Sequence, residues 1–244
     1  MHRFYADERG LSEGRAWLAP EDARHAARVL RLEAGDQCEL FADGKRYAAV
    51  LEQIAPEAAC ARVTEELPST EARLRVTLYQ GLPKAEKLEL IVQKAVELGA
   101  DRVVPVAMSR SVVKLDARDG QKKRERWQKI AREACKQSGR CVPMEVEAPI
   151  GWKDLLERLP RHACAIVPWE DARGFSLTRL REELPALSDL AVVIGPEGGM
   201  SPEEVAAMER LGCRAVTLGP RILRTETAGM ACIAAALCLW GDME

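Results

Sequence analysis

From Arg73 onward, short apolar runs of strand length alternate with longer segments whose apolar residues recur at helical spacing, and this alternation leaves few folds open. Leu74 to Tyr79 reads as a strand. Leu88, Ile91, Val92, Ala95 and Leu98 then recur every three or four residues until Gly99 stops the helix, and Arg102 to Val106 reads as the next strand. The pattern continues through a basic helix around Trp127, Ile130, Ala131 and Ala134, strands at Ala163 to Val167, Leu190 to Ile194 and Ala215 to Leu218, and helices at Glu203 to Leu211 and Glu226 to Trp240. Strands joined through helices pair in parallel, so the expected class is α/β with a parallel sheet covered on both faces. Ligands of such sheets bind beyond the carboxyl ends of the strands.

Residues 1–70 read differently. An arginine-bearing segment, Arg24 to Arg31, precedes two alternating runs, Cys38 to Phe41 and Arg46 to Leu51, joined through Asp43-Gly44. Asp-Gly between such runs is a hairpin signal because the glycine accepts positive φ. A small β domain over residues 1–70 and an α/β domain over 71–244 are therefore expected, with the polar, proline-bearing stretch Glu65 to Glu71 as the linker.

Composition excludes several classes. With 47% hydrophobic and 30% charged residues the chain should fold throughout. The N-terminus lacks the apolar run of a signal peptide, and Met230 to Trp240 is too short to span a bilayer, so a cytoplasmic protein without membrane contact is expected. None of the eight cysteines forms Cys-x-x-Cys, and only three histidines are present. Cys38, Cys60, Cys164, Cys213, Cys232 and Cys238 sit among apolar residues and read as core thiols, with no metal site. The net charge of −2 conceals a local excess: Arg118 to Arg140 holds nine Lys or Arg against three Asp or Glu. Such a run is either a solvated helix face or a surface for an anionic partner.

Two turns carry the chemistry. The first, Gly195-Pro196-Glu197-Gly198-Gly199, follows an apolar strand and precedes Ser201-Pro202-Glu203-Glu204, a capping box with proline at the first helical position. One cap does not need three glycines; closely spaced glycines also let a ligand reach bare backbone. The spacing matches neither a dinucleotide fingerprint nor a P-loop. The second, Leu218-Gly219-Pro220-Arg221-Ile222-Leu223-Arg224-Thr225-Glu226-Thr227-Ala228, follows another strand and gathers arginines, a glutamate and threonines, either as helix caps and solvated charge or as part of a site.

These two turns, together with Gln93-Lys94-Ala95-Val96-Glu97-Leu98-Gly99, Arg110-Ser111-Val112 and Gln137-Ser138-Gly139-Arg140, resemble the RsmE-type 16S rRNA uridine-N3 methyltransferases of the SPOUT superfamily. The resemblance covers essentially the whole chain. It implies a C-terminal deep trefoil knot behind an N-terminal PUA-like β-barrel that grips RNA, a homodimer formed partly through the last helix, and 16S rRNA in the assembled small subunit as substrate. It also implies S-adenosylmethionine as cofactor, bound by Gly195, Glu197, Gly198, Leu218, Gly219, Ile222, Leu223, Thr227 and Ala228.

Methyl transfer to uridine N3 requires a proton acceptor, because N3 of neutral uridine carries hydrogen. Glu170 and Glu226 are the candidate bases, the first alternatively a surface acid and the second alternatively a helix cap. Arg224 is suited to the developing uridine anion or to a phosphate. Arg24, Arg28 and Arg31, which share a face if their segment is helical, and Arg110 are the candidate RNA contacts. A related knotted enzyme acting on tRNA or a ribose hydroxyl, and a catalytically silent RNA-binding factor, are the competing readings.

Overall fold

The computed structural model describes residues 1–113 and 115–243. They sort into two units, Met1–Glu71 with Cys135–Pro143 and Ala72–Ala134 with Met144–Glu244. The first unit holds β1 (His2–Tyr5), β2 (Arg15–Trp17), α1 (Pro20–Arg24) with a π-helical continuation His25–Leu30, β3 (Gln37–Ala42), β4 (Lys45–Ile54) and β5 (Ala59–Leu67). The strands order β1-β3-β4-β5-β2. All pairings are antiparallel except β1 with β3. The edge strands approach each other at the bridge Ala6↔Leu18, where Asp7 N donates to Trp17 O and Ala19 N to Tyr5 O, each at 2.8 Å. Phe4, Leu40, Leu51 and the alanines of β2, β4 and β5 fill its interior.

The hairpin forms where expected. Asp43 and Gly44 have φ of +51° and +72°, the two positive values that a two-residue turn between right-twisted strands demands. The linker is shorter than its composition suggested: Glu65, Glu66 and Leu67 pair with Ala48, Tyr47 and Arg46 and belong to β5. Polar side chains suit an exposed strand face as well as a linker, so polarity could not separate the two. Arg24 and Arg28 are exposed on helical turns, and Arg31, at φ +54°, ends them.

The second unit holds β6 (Arg75–Gly81), α2 (Lys87–Glu97), β7 (Arg102–Ala107), α3 (Ala117–Ser138, whose last turn groups with the first unit), β8 (Glu145–Val146), β9 (Ile150–Gly151) and α4 (Trp152–Arg158). It continues with β10 (Cys164–Pro168), α5 (Leu177–Glu183), β11 (Asp189–Ile194), α6 (Pro202–Glu209), β12 (Arg214–Val216) and α7 (Thr225–Trp240). The sheet order is β12-β10-β11-β6-β7-β8, with β9 also on β7, and every pairing is parallel. The central strands are apolar on both faces, as a covered parallel sheet requires. The chain moves from β6 to β7 and β8 on one side, then crosses to place β10, β11 and β12 on the other. Ligand crevices open at such a reversal, beyond the strand carboxyl ends.

Gly99, at φ +92°, ends α2 as its position predicted. Seven of the eight cysteines are buried and all are free; Cys238 departs from the expectation and is exposed on α7. Burial pushes the Cys232 thiol up to about 12, so it stays protonated and inert. Among the described residues no helix is long and apolar enough to cross a membrane, and no cluster of three or more His, Cys, Asp or Glu could hold a metal ion.

The first unit also contains a buried ion pair. Asp22 Oδ1 lies 2.5 Å from Lys136 Nζ, and its Oδ2 accepts from Tyr5 N at 2.8 Å. Burial raises the carboxyl above its usual range, against the opposing pull of Lys136 and the Tyr5 amide. Removing one partner from such a pair costs about 3–5 kcal/mol because a buried charge is left alone. Lys136→Met should therefore destabilise the protein by roughly 3 kcal/mol at pH 7 in urea unfolding. The deficit should shrink as pH falls through the raised carboxyl value, since a protonated Asp22 no longer needs the ammonium, and Asp22→Asn with Lys136→Met should recover much of it. An equal deficit at every pH would show that the pair's charge is not what the fold depends on.

Candidate active site

Three strands of the second unit deliver their C-terminal ends to one edge: β10 at Pro168, β11 at Ile194 and β12 at Val216. The first glycine turn leaves β11. It closes on itself through Gly199 N donating to Pro196 O at 2.9 Å, with Gly199 at φ +69°. Its glycines serve packing first. A Cβ on Gly195 would stand 2.9 Å from Met200 Cγ and 3.1 Å from the Gly199 carbonyl carbon. One on Gly198 would stand 3.1 Å from Arg110 Cβ and 3.4 Å from its carbonyl oxygen. Gly195 is thus small so that the turn can close on itself and Gly198 so that Arg110 can lie against it, and both glycines also line the cavity described below.

The capping box after the turn is complete. Glu204 N donates to Ser201 Oγ at 3.2 Å and Ser201 N to Glu204 Oε2 at 2.9 Å. Glu204 Oε1 also accepts from Ser109 N at 3.0 Å, and Arg110 Nη1 donates to Gly198 O at 3.0 Å. Arg110, a candidate RNA contact, is exposed but spends one donor on the turn.

The second turn leaves β12. Gly219 N donates to Thr217 Oγ1 at 3.1 Å, and Gly219, at φ +101°, has no atom within 4 Å of the place a Cβ would take, so it faces open space. Arg224 is the extended N-cap of α7. Together the turns enclose a cavity of about 400 Å³. Small-molecule sites commonly span about 300–1,000 Å³. Of the sequence-predicted residues, Gly195, Glu197, Gly198, Leu218, Gly219, Ile222, Leu223, Ala228, Glu170 and Arg224 line it. Glu226 and Thr227, in the first turn of α7, are not among its lining residues. Ile222 stands at its rim with 83% of its surface exposed, unusual for an isoleucine in a fold with a filled core.

Sequence reasoning missed four contributors. Lys87, at the start of α2, lines the cavity, with Nζ 3.1 Å from Glu197 Oε1 and 3.3 Å from Glu226 Oε2. The second contact is an ion-pair distance without hydrogen-bond alignment. Gly81 ends β6, where a Cβ would fall 2.5 Å from Pro196 N. Trp169 follows β10 beside Glu170, and Gln80 lies beneath the first turn. The available signal was indirect: β6 ends at the same sheet edge as β11, so residues just beyond it had to lie near the first turn.

The electrostatics follow from these contacts. Burial tends to raise the Glu197 carboxyl, but backbone amides, including Lys84 N at 3.0 Å, and the Lys87 ammonium outweigh it and hold it below its ordinary value. Lys87 is correspondingly raised, chiefly by Glu197. The lining combines apolar walls from Ile194, Leu218 and Leu223 with carboxylates of Glu170 and Glu197 and the guanidinium of Arg224. Apolar walls, bare backbone and side chains of both charges suit a small organic ligand that has an apolar body and charged ends.

Comparison with known proteins agrees with this geometry. An RNA methyltransferase domain family matches residues 70–237, and an RNA methyltransferase PUA domain family matches residues 18–64. The chain is 36% identical over 224 residues to the ribosomal RNA small subunit methyltransferase E of Bacillus subtilis, covering 89% of this chain and 88% of that protein. A ribosomal RNA small subunit methyltransferase E from Neisseria gonorrhoeae, solved bound to S-adenosyl methionine, superposes with a TM-score of 0.87 at 34% identity over 100% of both chains. A methyltransferase from Legionella pneumophila, solved with the same cofactor, gives 0.86 at 30% identity over 99% of this chain and 98% of that one.

The depressed Glu197 carboxyl sets a pH test. A carboxylate whose folded value lies below its unfolded one, about 4.3, adds stability above that unfolded value and loses it as pH falls through the folded value. Glu197→Gln should therefore be less stable than wild type at pH 7, and the two should converge in strong acid when unfolded chemically across a pH series. A gap that stays constant into acid would show that the charge of Glu197 does not anchor the turn.

Proposed function

The chain belongs to the ribosomal RNA small subunit methyltransferase E family, and from that membership we propose that it methylates N3 of a uridine in 16S rRNA within the assembled small subunit. S-adenosylmethionine is its cofactor. The observation that carries the reading is the cavity walled by both glycine-bearing turns, with Glu170 and Arg224 among its lining residues. The cofactor's sulfonium supplies the methyl group. Ile194, Leu218, Leu223 and Ala228 would wall its heterocycle, and Glu197 with the backbone of Gly195, Gly198 and Gly219 would hold its polar groups.

For the transfer itself, Glu170 is the better candidate proton acceptor. Its carboxylate lines the cavity, with Oε1 3.2 Å from where a Cβ of Gly199 would stand. Glu226 instead holds Oε2 against the Lys87 ammonium and does not line the cavity, which favours a supporting role for it. Arg224, an exposed cation at the start of α7, is suited to the negative charge that grows on the uridine as its N3 proton leaves.

The same reading divides the chain's labour. Residues 1–70 act as a PUA-like barrel that grips RNA, in keeping with the bridge that joins β1 and β2 and with exposed Arg24, Arg28 and Arg31. Residues 71–244 form a deep trefoil knot of the SPOUT kind that holds the cofactor. They dimerise through α7, where Met230, Ala234 and Trp240 keep part of their surface exposed.

Methyl transfer from labelled S-adenosylmethionine to purified small subunits tests the proposal. Glu170→Gln should lose about 10²–10⁴ in kcat while retaining cofactor affinity, the range typical of a lost general base. Full activity would exclude Glu170. Arg24→Ala with Arg28→Ala should weaken binding to small subunits and flatten its salt dependence, since fewer counterions are released, without altering cofactor affinity. An unchanged salt slope would remove these arginines from the RNA surface.

A further inference from the structure

Gln80 is the penultimate residue of β6 and is fully buried, with Ile194 and Pro105 as its partners on the neighbouring strands. An amide is costly at such a place unless it is paired. Its Nε2 donates to Thr225 Oγ1 at 2.8 Å and to Gly81 O at 3.1 Å, with Gly195 O at 3.5 Å. Thr225 Oγ1 in turn donates to Gly195 O at 2.6 Å. That arrangement fixes the amide's orientation. The threonine proton is committed to Gly195, so the hydroxyl must accept from Gln80, and the other two partners are carbonyl oxygens that accept only. Oε1 is left without a hydrogen-bond partner, and a Cβ on Gly229 of α7 would stand 3.6 Å from it.

For folding alone, a glutamine with one satisfied end and one orphaned end is a poor choice. An apolar side chain of similar size would remove the orphan and leave Gly195 O its bond from Thr225, at the cost of the bond that Gly81 O accepts, so the exchange would be close to neutral for folding. What the amide adds is connection. It ties the end of β6 to the hydroxyl that joins the first turn at Gly195 with the start of α7 at Thr225. Gly195 and Thr225 both line the cavity, whereas Gln80 does not.

We propose that Gln80 is a positioning residue for cofactor binding, holding the two cavity-walling turns in register from beneath. The proposal rests on the reading of the cavity as the S-adenosylmethionine site. Gln80 touches no part of the cavity, so its effect passes through Thr225 and Gly195.

Calorimetric titration of S-adenosylmethionine into the full-length protein, paired with thermal unfolding and with binding to small subunits, tests it. Gln80→Leu is expected to fold with a melting temperature close to that of wild type, to bind small subunits as wild type does, and to bind the cofactor about tenfold more weakly, the scale of one lost hydrogen bond. Gln80→Leu combined with Thr225→Val should bind no more weakly than the worse single variant, since both cut one connection. Unchanged cofactor affinity in folded Gln80→Leu overturns the proposal, as does an equal loss of cofactor and RNA affinity, which would mark general loosening. If Gln80→Leu does not fold, Gln80→Met carries the test, and if neither folds the amide is architectural and the proposal falls. A wild-type protein that binds no S-adenosylmethionine would instead defeat the reading of the cavity itself.

Discussion

The carbonyl of Gly195 accepts a 2.6 Å hydrogen bond from the buried hydroxyl of Thr225, and the arrangement of the second unit's cavity depends on it. Gly195 ends the run out of β11, and Thr225 opens α7, thirty residues later in the chain. A hydrogen bond inside a packed interior is strengthened by low dielectric, and leaving either group unpaired there would be costly. The bond therefore fixes where the last helix starts relative to the first turn. The close approach of Pro196 to Gly81 fixes the same turn against β6. With both constraints met, the cavity is set by backbone, which is why its lining is rich in glycine and in main-chain groups.

Charge is layered on that frame. Glu197 is held by the Lys84 amide and the Lys87 ammonium, and Lys87 also stands beside Glu226, so one cation steadies two carboxylates from two turns. Glu170 and Arg224 are exposed and line the cavity. The division between paired, supporting charges and exposed, available ones is what a site needs when one set must keep its geometry while the other meets substrate.

Much of this was legible in the sequence because it is written locally. The β-α alternation, the Gly99 stop, the Asp43-Gly44 turn and the Ser201 to Glu204 capping box each depend on residues a few positions apart, and each formed as read. The two turns stood out because their glycines and charges are clustered. What escaped notice depends on register between distant segments. Gln80 pairs across the sheet with Ile194, so it lies beneath the first turn only because β6 and β11 are neighbours, and no local pattern announces that. Gly81 and Lys87 were hidden for the same reason. Arg110 could be read as a free cation until the turn that it donates to was seen. Cys238 looked like a core thiol because its neighbours are apolar, although the helix turns it outward. The two-residue strands β8 and β9 are too short to leave a periodicity.

The central claim, that this chain modifies a uridine base of 16S rRNA, is most directly tested by mass mapping of nucleosides in small-subunit RNA from cells lacking the gene and from the same cells complemented with it. The account predicts the loss of one N3-methyluridine in the deletion strain and its return with the wild-type gene. An unchanged set of 16S modifications, or a lost mark that proves to be a ribose methylation or to lie in tRNA, would contradict it.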